Sequence, residues 1–506
     1  MKKITDLRDL KTFFKENVET PILGVGVYAF DRLWLEDVLE DYKILALRYS
    51  LETELIEKDL EVLSLEKGMG TKHIRQPRNS TTVINHPRTK QYLSKLNRPP
   101  LLLPYKASTK MEKICKENGW TLAASPTRFG KKLFENKATF RKILQGLGID
   151  PPPGEIISAL RLDFETLRIK YGLPFVIQHP KRGGGKGTFF INSKDDWARA
   201  MALLHSREKE GETIKEDLSQ TKLIASKYIS GSSPSITGCV TRHGTLSTSL
   251  QYQIIDAPLL YNPKKGSGLF CGHDWSSSHF SEEVSRQAYD IVEKVGTYFA
   301  AQGYKGIFGI DFVLEENSQK LYVTECNPRL LGSFPTIAMI QTLNGETPIL
   351  AFHVLEHLGA DYDIDPKEIN ELMRRPKFGS QMFLHNLTER WGRNQKEVKP
   401  GIYELEKGAD GNNTMKFIRP GYAMKHLETE NEFLLTDGLL KKHSHFSPNR
   451  RLGRILTKGG VLSENKRTLS PWAQDIAAAS HSSFQLKPIK FAKITKIINP
   501  HFLAKG

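Results

Sequence analysis

The chain has 506 residues, more than one hydrophobic core usually organises, so about two to four domains are expected. Hydrophobic residues make up 39% of it and charged residues 26%, a composition that excludes a disordered chain and favours a globular one. The formal net charge of +16 favours anionic ligands, without choosing among nucleotides, acidic peptides, nucleic acids and membrane surfaces.

Several classes of protein lack support in the sequence. No apolar run has the length of a transmembrane segment, and the start, MKKITDLRDL, lacks the apolar core of a signal peptide, so a cytoplasmic location is expected. The cysteines, Cys115, Cys239, Cys271 and Cys326, are scattered, which indicates reduced thiols and gives no metal signature. No zinc-finger spacing or RNA-binding aromatic motif occurs, so no nucleic-acid partner is expected.

The N-terminal part alternates strand-like and helical stretches. Short apolar runs at 22–31, 43–50, 101–108 and 120–125 read as strands, and helical sequence separates them. The stretch 67–100 is rich in Lys, Arg, Asn and Pro, which predicts a long connection or a partly ordered insert. This alternation predicts a parallel α/β domain over residues 1–130.

The remaining elements predict a central region and a C-terminal cap. The apolar spacing in 134–150 predicts a helix, which Gly148 and the prolines at 151–153 end. We expect a central domain over 131–365 and a mixed α/β cap over 366–506 that ends in a basic tail. The elements predicted after the first helix are a polar helix-rich piece at 194–219, a strand at 223–229, a strand pair at about 236–254, a helix at about 281–302 and a hairpin at 306–329.

A glycine-rich loop lies between two apolar runs in PFVIQHPKRGGGKGTFFI, residues 174–191. Three consecutive glycines, 183–185, let backbone N–H groups approach phosphate oxygens, and Lys181, Arg182 and Lys186 add positive charge. The loop therefore predicts a phosphate site, with a flexible surface turn as the alternative.

The stretch GIFGIDFVLEENSQKLYVTECNPR predicts a hairpin around a polar turn. If residue 315 pairs with residue 321, Asp311 lies opposite Glu325 across the two strands. Side chains alternate along a strand, so Asn327 shares a face with Glu325. Adjacent carboxylates repel unless a cation lies between them, and these oxygen ligands suit Mg²⁺. The alternative is an ordinary exposed hairpin.

These two motifs, taken in order, resemble a known family. The region from about 134 to 355 resembles the ATP-grasp fold of carboxylate–amine ligases and biotin-carboxylase-like enzymes. The matching stretches are Asn136-Lys137 before a helix, PFVIQHPKRGGGKGT, ASKYISG, GIDFV and ECNPR, and the N-terminal part is similar to the family's pre-grasp domain. The resemblance implies ATP bound between two α+β subdomains, with two Mg²⁺ ions bridging its phosphates and Mn²⁺ as an expected substitute.

The resemblance also implies roles for individual residues. Lys137 matches an ATP-phosphate lysine, Arg329 matches the arginine that steadies the γ-phosphate or acyl-phosphate oxygens, and we expect both to act in catalysis. Asp311, Glu325 and Asn327 match the magnesium ligands. The residues implied for ATP binding are Lys137, Gln178, Lys181, Gly183, Gly184, Gly185, Lys186, Ser226, Lys227, Tyr228, Ile229 and Ser233.

Three of these positions depart from the family pattern. Gln178 stands where a second lysine is usual, so Lys181 or Lys186 is expected to supply the missing charge. Ser226 and Ser233 stand where acidic residues often contact the adenine and the ribose. A serine hydroxyl still bonds a ribose hydroxyl, with less charge assistance.

The expected function is therefore an ATP-dependent ligase that activates a carboxylate as an acylphosphate and couples it to an amine. Its substrates would be small-molecule or peptide carboxylates and amines, and its oligomeric state stays open. One alternative is a biotin-carboxylase-like enzyme that activates bicarbonate, although the chain has no A-M-K-M carrier sequence. The other is a non-catalytic nucleotide-binding protein.

A basic run at 440–458, LKKHSHFSPNRRLGRILTK, leaves two interpretations open. It closes over an anionic substrate, or it forms a solvated face. Its two histidines, His443 and His445, have no third ligand nearby in the sequence and are more typical of surface residues than of a metal site.

Overall fold

A computed structural model describes residues 3–69, 79–183, 187–209, 212–215, 217–262, 268–408 and 411–489. Gly184, Gly185 and Lys186 of the glycine loop lie outside the described residues, as does most of the basic tail. The helices are α1 Leu7–Asn17, α2 Thr53–Ile56, α3 Ser80–Asn85, α4 Pro87–Leu93, α5 Thr109–Glu117, α6 Lys137–Gly146, α7 Phe164–Tyr171, α8 Lys194–Leu204, α9 Glu282–Ala301, α10 Thr336–Leu343, α11 Ile349–Leu358, α12 Pro366–Met373 and α13 Pro471–Phe484.

The strands fall into five sheets, which are taken in turn below. Their bounds are β1 Ile22–Gly26, β2 Lys43–Ala46, β3 Val62–Ser64, β4 Leu101–Pro104, β5 Thr121–Leu122, β6 Gly154–Ser158, β7 Phe175–Gln178, β8 Thr188–Ile191, β9 Ser206–Lys209, β10 Glu212–Lys215, β11 Lys222–Lys227, β12 Gly231–Ser232, β13 Pro234–Thr241, β14 Gly244–Ser247, β15 Gln251–Ile255, β16 Phe270–Asp274, β17 Gly306–Glu315, β18 Leu321–Asn327, β19 Ser380–His385, β20 Gly392–Asn394, β21 Gly401–Lys407, β22 Asn413–Pro420, β23 Phe433–Thr436, β24 His445–Phe446, β25 Arg451–Thr457 and β26 Leu486–Pro488.

The first sheet is parallel, as the alternation of elements predicts. Its order is β3-β2-β1-β4-β5, and every neighbouring pair in it is parallel. Its central strands β1 and β4 are buried along their whole length, which suits strands covered on both faces. The stretch 67–100 is not a plain connection, because α3 and α4 lie within it. In a parallel sheet the carboxyl ends of the strands share one edge, and that edge faces the candidate site.

A small antiparallel sheet with the order β6-β11-β7-β8 contains the flanks of the glycine loop. Strands β7 and β8 pair directly, so the two apolar runs around the loop are the neighbouring strands that the sequence predicts. Helices α7 and α8 cover this sheet through Leu167 and Leu204, which pack with Phe175 and Ile177. A separate hairpin, β9-β10, follows α8 where the sequence predicts only helix-rich structure.

Most of the other strands belong to one large sheet. In the described part of the chain its path is β12-β17-β13-β15-β16-β19-β25-β23-β21-β22, with β14 added beside β13 and β18 beside β17. The pairing of β16 with β19 carries the sheet from the central region into the C-terminal region. A three-stranded sheet, β24-β20-β26, lies beside it. The division into three domains at 130 and 365 stays a prediction.

Helix α6 is the element that delivers a charged residue from its first turn to the site. The side chain of Asn136 caps its start by accepting the N–H groups of Ala138 and Thr139. Phe140 and Leu144, one turn apart, pack in the core between α9 and β18 and fix the orientation of the helix. Within the described residues, no helix has both the length and the apolarity needed to cross a bilayer.

Candidate active site

The hairpin β17-β18 brings two carboxylates together. Asp311 lies opposite Glu325, as the sequence predicts. The pairing near the turn differs from the predicted one, because Leu314 rather than residue 315 lies opposite Leu321. A β-bulge next to Asp311 inserts Thr324 and restores the expected pairing at the carboxylates.

Amide groups surround the two carboxylates. The side-chain NH₂ of Asn327 donates to Asp311 Oδ2 at 3.0 Å and to Glu325 Oε1 at 3.1 Å. Gln253 on β15 donates from Nε2 to Asp311 Oδ1 at 2.5 Å. Asp311, Glu325 and Asn327 therefore lie together as predicted, whereas Gln253 is a contact that no sequence motif marks.

Lys137 connects the acidic hairpin with the glycine loop. Its Nζ lies 2.6 Å from Glu325 Oε2 and donates to the backbone carbonyl of Arg182 at 3.0 Å. Its side chain is only 7% exposed, so the ion pair is poorly screened by water. Two motifs that are far apart in the sequence thus meet through one ammonium group.

Arg329 forms the opposite side of the cluster. Its NH2 group donates to Asn327 Oδ1 at 2.7 Å, and its Nε donates to Glu135 Oε1 at 3.1 Å. Its NH1 group donates to the hydroxyl of Tyr105, which belongs to the segment after β4 of the parallel sheet. Glu135 and Tyr105 are positioning residues that the sequence does not single out.

The charges of the cluster are strongly perturbed. Burial, and then the carboxylate of Glu325, raise the pKa of Asp311 to about 8. Burial acts in the same direction on Glu325, but the ammonium of Lys137 outweighs it and holds the pKa of Glu325 below its ordinary value. Burial opposes the charge of Arg329, yet Tyr105 and Glu135 raise its pKa, so this guanidinium is a permanent cation.

The donor set of this cluster fits Mg²⁺. Two carboxylates and an amide carbonyl are hard oxygen ligands, and a pair of carboxylates this close favours a cation between them. The orientation of the Asn327 amide differs from that of a ligand, because its NH₂ faces the carboxylates and its carbonyl oxygen accepts from Arg329. Rotation of this amide by about half a turn would point its oxygen at the carboxylates. No group of three or more His, Cys, Asp or Glu side chains forms a metal cluster in the described ranges, His443 and His445 included.

The described part of the glycine loop has mixed roles. Gln178 donates from Nε2 to Thr188 Oγ1 at 3.3 Å, which ties β7 to β8. Lys181 lines a cavity of about 350 Å³ beside Asn136, and none of the acidic hairpin residues lines that cavity. A side chain at Gly183 would meet no atom within 4 Å, so space is open on that side of the loop.

Arg182 does not add free charge to the loop. Its guanidinium donates to the carbonyl oxygens of Leu203 at 2.9 Å, Leu204 at 2.8 Å and Ser206 at 2.9 Å. These groups end α8, so the side chain caps a helix C-terminus instead of facing a phosphate. The interpretation of Arg182 as a loop cation is therefore wrong, whereas the expectation for Lys181 and Lys186 stays a prediction.

The residues expected around adenine lie where the small sheet leads into the large one. Ser226 is buried in β11, and Lys227 ends that strand as an exposed residue. Tyr228 follows with its ring 5.6 Å from that of Phe190 on β8, and Ile229 is buried. Ser233 lies beyond β12, and its carbonyl accepts the N–H of Gln253 at 2.9 Å. The adenine contacts stay a prediction, with these residues in one continuous segment.

A second cavity, of about 620 Å³, adjoins the cluster through Tyr105. The residues after β1 and β4 form one wall, and β16, β19 and β25 of the large sheet form the other. Arg451 and Arg454, from the basic run at 440–458, line it. Part of that run therefore faces a cavity, which favours the first of its two interpretations.

Comparison with known proteins agrees with this geometry. Residues 135–333 match a sequence-family model described as an ATP-grasp domain. No curated protein sequence is similar enough to the chain to count as a match.

Solved structures share the architecture. The biotin carboxylase domain of 2-oxoglutarate carboxylase from Hydrogenobacter thermophilus, in complex with MgADP, ADP and bicarbonate, has a TM-score of 0.53 at 15% identity, over 93% of this chain and 91% of that one. Biotin carboxylase from Campylobacter jejuni has a TM-score of 0.54 at 13% identity, over 87% of each chain. Carboxyaminoimidazole ribonucleotide synthase from Aspergillus clavatus, complexed with ATP, has a TM-score of 0.50 at 13% identity, over 92% of this chain and 99% of that one. At these identities the similarity is one of fold, and together with the family match it shows that the chain carries an ATP-grasp domain over residues 135–333.

Proposed function

We propose that the protein is a Mg²⁺- and ATP-dependent ligase that activates a carboxylate as an acylphosphate and joins it to an amine. The observation that carries the proposal is the contact of Lys137 with both the glycine loop and Glu325, at 3.0 Å and 2.6 Å. It unites a phosphate-binding loop, a pair of carboxylates and a buried cation in one site. Phosphoryl transfer depends on this kind of positioning and charge neutralisation.

The chain's own residues divide the work. The ammonium of Lys137 and the backbone N–H groups of the glycine loop bind ATP phosphates. Asp311, Glu325 and Asn327 hold Mg²⁺, which neutralises phosphate charge when bound. The guanidinium of Arg329, oriented by Glu135, stabilises the charge that develops on the transferred phosphoryl group.

The reaction has two steps. An oxygen of the substrate carboxylate attacks the γ-phosphorus, the bond to the bridging oxygen breaks, and ADP leaves. The amine nitrogen then attacks the carbonyl carbon of the acylphosphate, inorganic phosphate leaves, and the nitrogen loses a proton. Phosphate is a far better leaving group than oxide, and for this reason the first step precedes the second.

Bicarbonate is the second candidate for the acid. The neighbour from Hydrogenobacter thermophilus was crystallised with bicarbonate together with MgADP, and its fold extends over most of this chain. Bicarbonate is a carboxylate-like anion, so the same residues would activate it as carboxyphosphate. The choice between the two acids rests on the substrate and not on the phosphate-binding residues.

A screen of phosphate release tests the proposal. The protein is incubated with Mg²⁺–ATP and with pairs of acids and amines, where the acids include amino acids, small carboxylates and bicarbonate. We expect release of ADP and phosphate that requires the acid. Hydroxylamine in place of the amine should trap the acylphosphate as a hydroxamate. ATP binding without turnover for any pair would favour the non-catalytic alternative, and absence of ATP binding would refute the proposal.

Two variants of one strand pair provide the control. Glu325→Gln removes a carboxylate of the site and should abolish most of the turnover. Glu315→Gln removes a carboxylate from the turn end of the same hairpin, where Ser318 donates to it at 2.5 Å, and should leave turnover unchanged. Equal losses in both variants would show that the hairpin fold, and not the site, has been damaged.

A further inference from the structure

The cavity of about 620 Å³ contains a buried guanidinium that the fold itself does not use. Arg32, just beyond β1, lines this cavity and is only 6% exposed. Its Nε has no hydrogen-bond partner, and its side chain makes no ion pair or hydrogen bond with any described residue. It lies across Gly26 so closely that a Cβ there would be 3.1 Å from its Cγ. A buried donor of this kind costs free energy unless a ligand accepts from it.

The other guanidinium groups of the cavity have protein partners. Arg451 lies 3.3 Å from Asp31 and 3.1 Å from Asp437, and Arg454 lies 2.8 Å from Asp437. Two arginines thus share two carboxylates, and Arg32 is the third cation beside them. This cluster has one positive charge more than it has negative charges, at a site with little water to screen it.

Lys106 adds further positive charge to the same wall. It lines the cavity and reaches only one carboxylate, Glu135, at a distance of 3.8 Å. Glu135 also accepts the stronger hydrogen bond from Arg329. The polar side of the cavity is therefore suited to an oxyanion.

The opposite side of the cavity is apolar. Phe270, Phe383, Phe334 and Leu331 line it, and the rings of Phe270 and Phe383 lie 5.6 Å apart. Ring faces of this kind bind flat or apolar groups of a ligand. A cavity with one anion-binding side and one aromatic side selects an amphipathic ligand.

We propose that this cavity binds a substrate that has an apolar, preferably aromatic, body and an oxyanion paired with Arg32. The oxyanion is a carboxylate or a phosphate, since either accepts two N–H groups of a guanidinium. That the ligand is a substrate rests on the proposed function, because Tyr105 lines the cavity and contacts Arg329. The ligand would therefore extend from Arg32 towards the phosphoryl-transfer cluster.

Calorimetric titration without ATP tests the inference. The probes are phenyl phosphate, phenylacetate, neutral phenylacetamide and inorganic phosphate. We expect both aromatic anions to bind about 10-fold or more tightly than phenylacetamide, because the neutral amide leaves the guanidinium unpaired. Phenyl phosphate should also bind more tightly than inorganic phosphate. Phenylacetamide binding as tightly as phenylacetate, or no binding by any probe, would overturn the proposal.

Variants locate the anion. Arg32→Gln should weaken both aromatic anions about 10-fold and leave phenylacetamide unchanged. Arg98→Gln removes the same charge from the surface, where Arg98 pairs with Glu19, and should change nothing. If Arg32→Gln does not fold, Arg32→Lys replaces it, and loss of more than half of the anion preference is expected from the missing fork of donors. Unchanged anion affinity in the folded Arg32 variant would refute the assignment.

The two proposals fail separately. These titrations contain no nucleotide, so a chain without ligase activity would still show the anion preference. A ligase whose cavity has no such preference would pass the phosphate-release screen and fail the titrations. ATP affinity of the Arg32 variant, measured in parallel, should equal that of the wild type.

Discussion

Replacement of Lys137 by methionine tests the centre of the candidate site. The substitution keeps most of the volume of the side chain and removes its charge. At 2.6 Å and an effective dielectric constant of 20, the attraction between Lys137 and Glu325 is about 6 kcal/mol before desolvation is subtracted. Loss of one partner of a buried pair costs about 3–5 kcal/mol, and the lower end applies because the Glu325 side chain is 23% exposed.

The expected change in thermal stability follows from this value. About 3 kcal/mol corresponds to a fall in Tm of roughly 6–12 °C for an unfolding unit of about 200 residues. The double variant Lys137→Met with Glu325→Gln should recover most of the loss, because no unpaired carboxylate remains. Its ATP affinity should stay weak, because the ammonium that binds phosphate is still absent. Differential scanning fluorimetry and calorimetry with ATP measure the two effects.

An exposed lysine serves as the control for this pair. Lys116→Met, on α5, removes an equal charge at the surface and should shift Tm by about 1 °C or less. The reasoning would be refuted by a Lys137→Met variant that melts with the wild type. It would equally be refuted by a double variant that is less stable than the single one, since the energy would then not reside in the ion pair.

Three other outcomes are expected. Millimolar Mg²⁺–ATP should stabilise the wild type, by about 2.7 kcal/mol at 100 times the dissociation constant, and Asp311→Asn combined with Glu325→Gln should remove most of the shift in Tm. Arg329→Ala should lower kcat about 10²–10³-fold with little change in ATP affinity; weaker ATP binding at an unchanged kcat would contradict this role. Burial lowers the pKa of His353 to about 4, with a smaller opposing effect of its hydrogen bond to Ala123, so its contribution to stability is complete above pH 6.5 and is lost as the pH falls from 6.5 towards 4. His353→Gln should therefore flatten the acid side of the stability profile by about 3 kcal/mol, measured as Tm against pH, and an unchanged slope would speak against it.

The acidic hairpin could be predicted from the sequence because its pattern is local. A turn between two apolar runs fixes which residues face each other within about one position. The remaining error of one residue is removed by the bulge at Thr324, whose hydroxyl donates to the backbone carbonyl of Asp311 at 3.0 Å. Nothing in the sequence marks this bulge. Without it, Asp311 would lie opposite a threonine and the pair of carboxylates would not exist.

The second cavity could not be predicted, because its walls come from opposite ends of the chain. Arg451 donates to Asp31 across 420 residues. No periodicity or short motif records a contact of this separation, so the sequence indicates basic residues at 440–458 and leaves their partner open. The unpaired state of Arg32 is visible only after the other arginines have been assigned to their carboxylates.

Composition misled the interpretation of 67–100. Charged residues and prolines there favour a loop, yet part of the stretch is helical. The signals for helix starts were present, since Asn79 caps α3 by accepting the N–H of Thr82, and Pro87 occupies the first turn of α4. A proline before a helix and a proline inside a loop are the same letter, so only the neighbouring cap distinguishes them.

The continuity of the large sheet through β16, β19 and β25 has a consequence for how substrates are told apart. Phe270, Phe383 and Arg451 lie on these three neighbouring strands, so the backbone ladder fixes their spacing at about 4.8 Å per strand. Strands in one ladder do not slide past each other without breaking backbone hydrogen bonds. This wall therefore behaves as a rigid template, on which a change of side chain alters chemistry and leaves geometry intact. New substrate preferences are accessible here through single substitutions, with the phosphoryl-transfer machinery untouched.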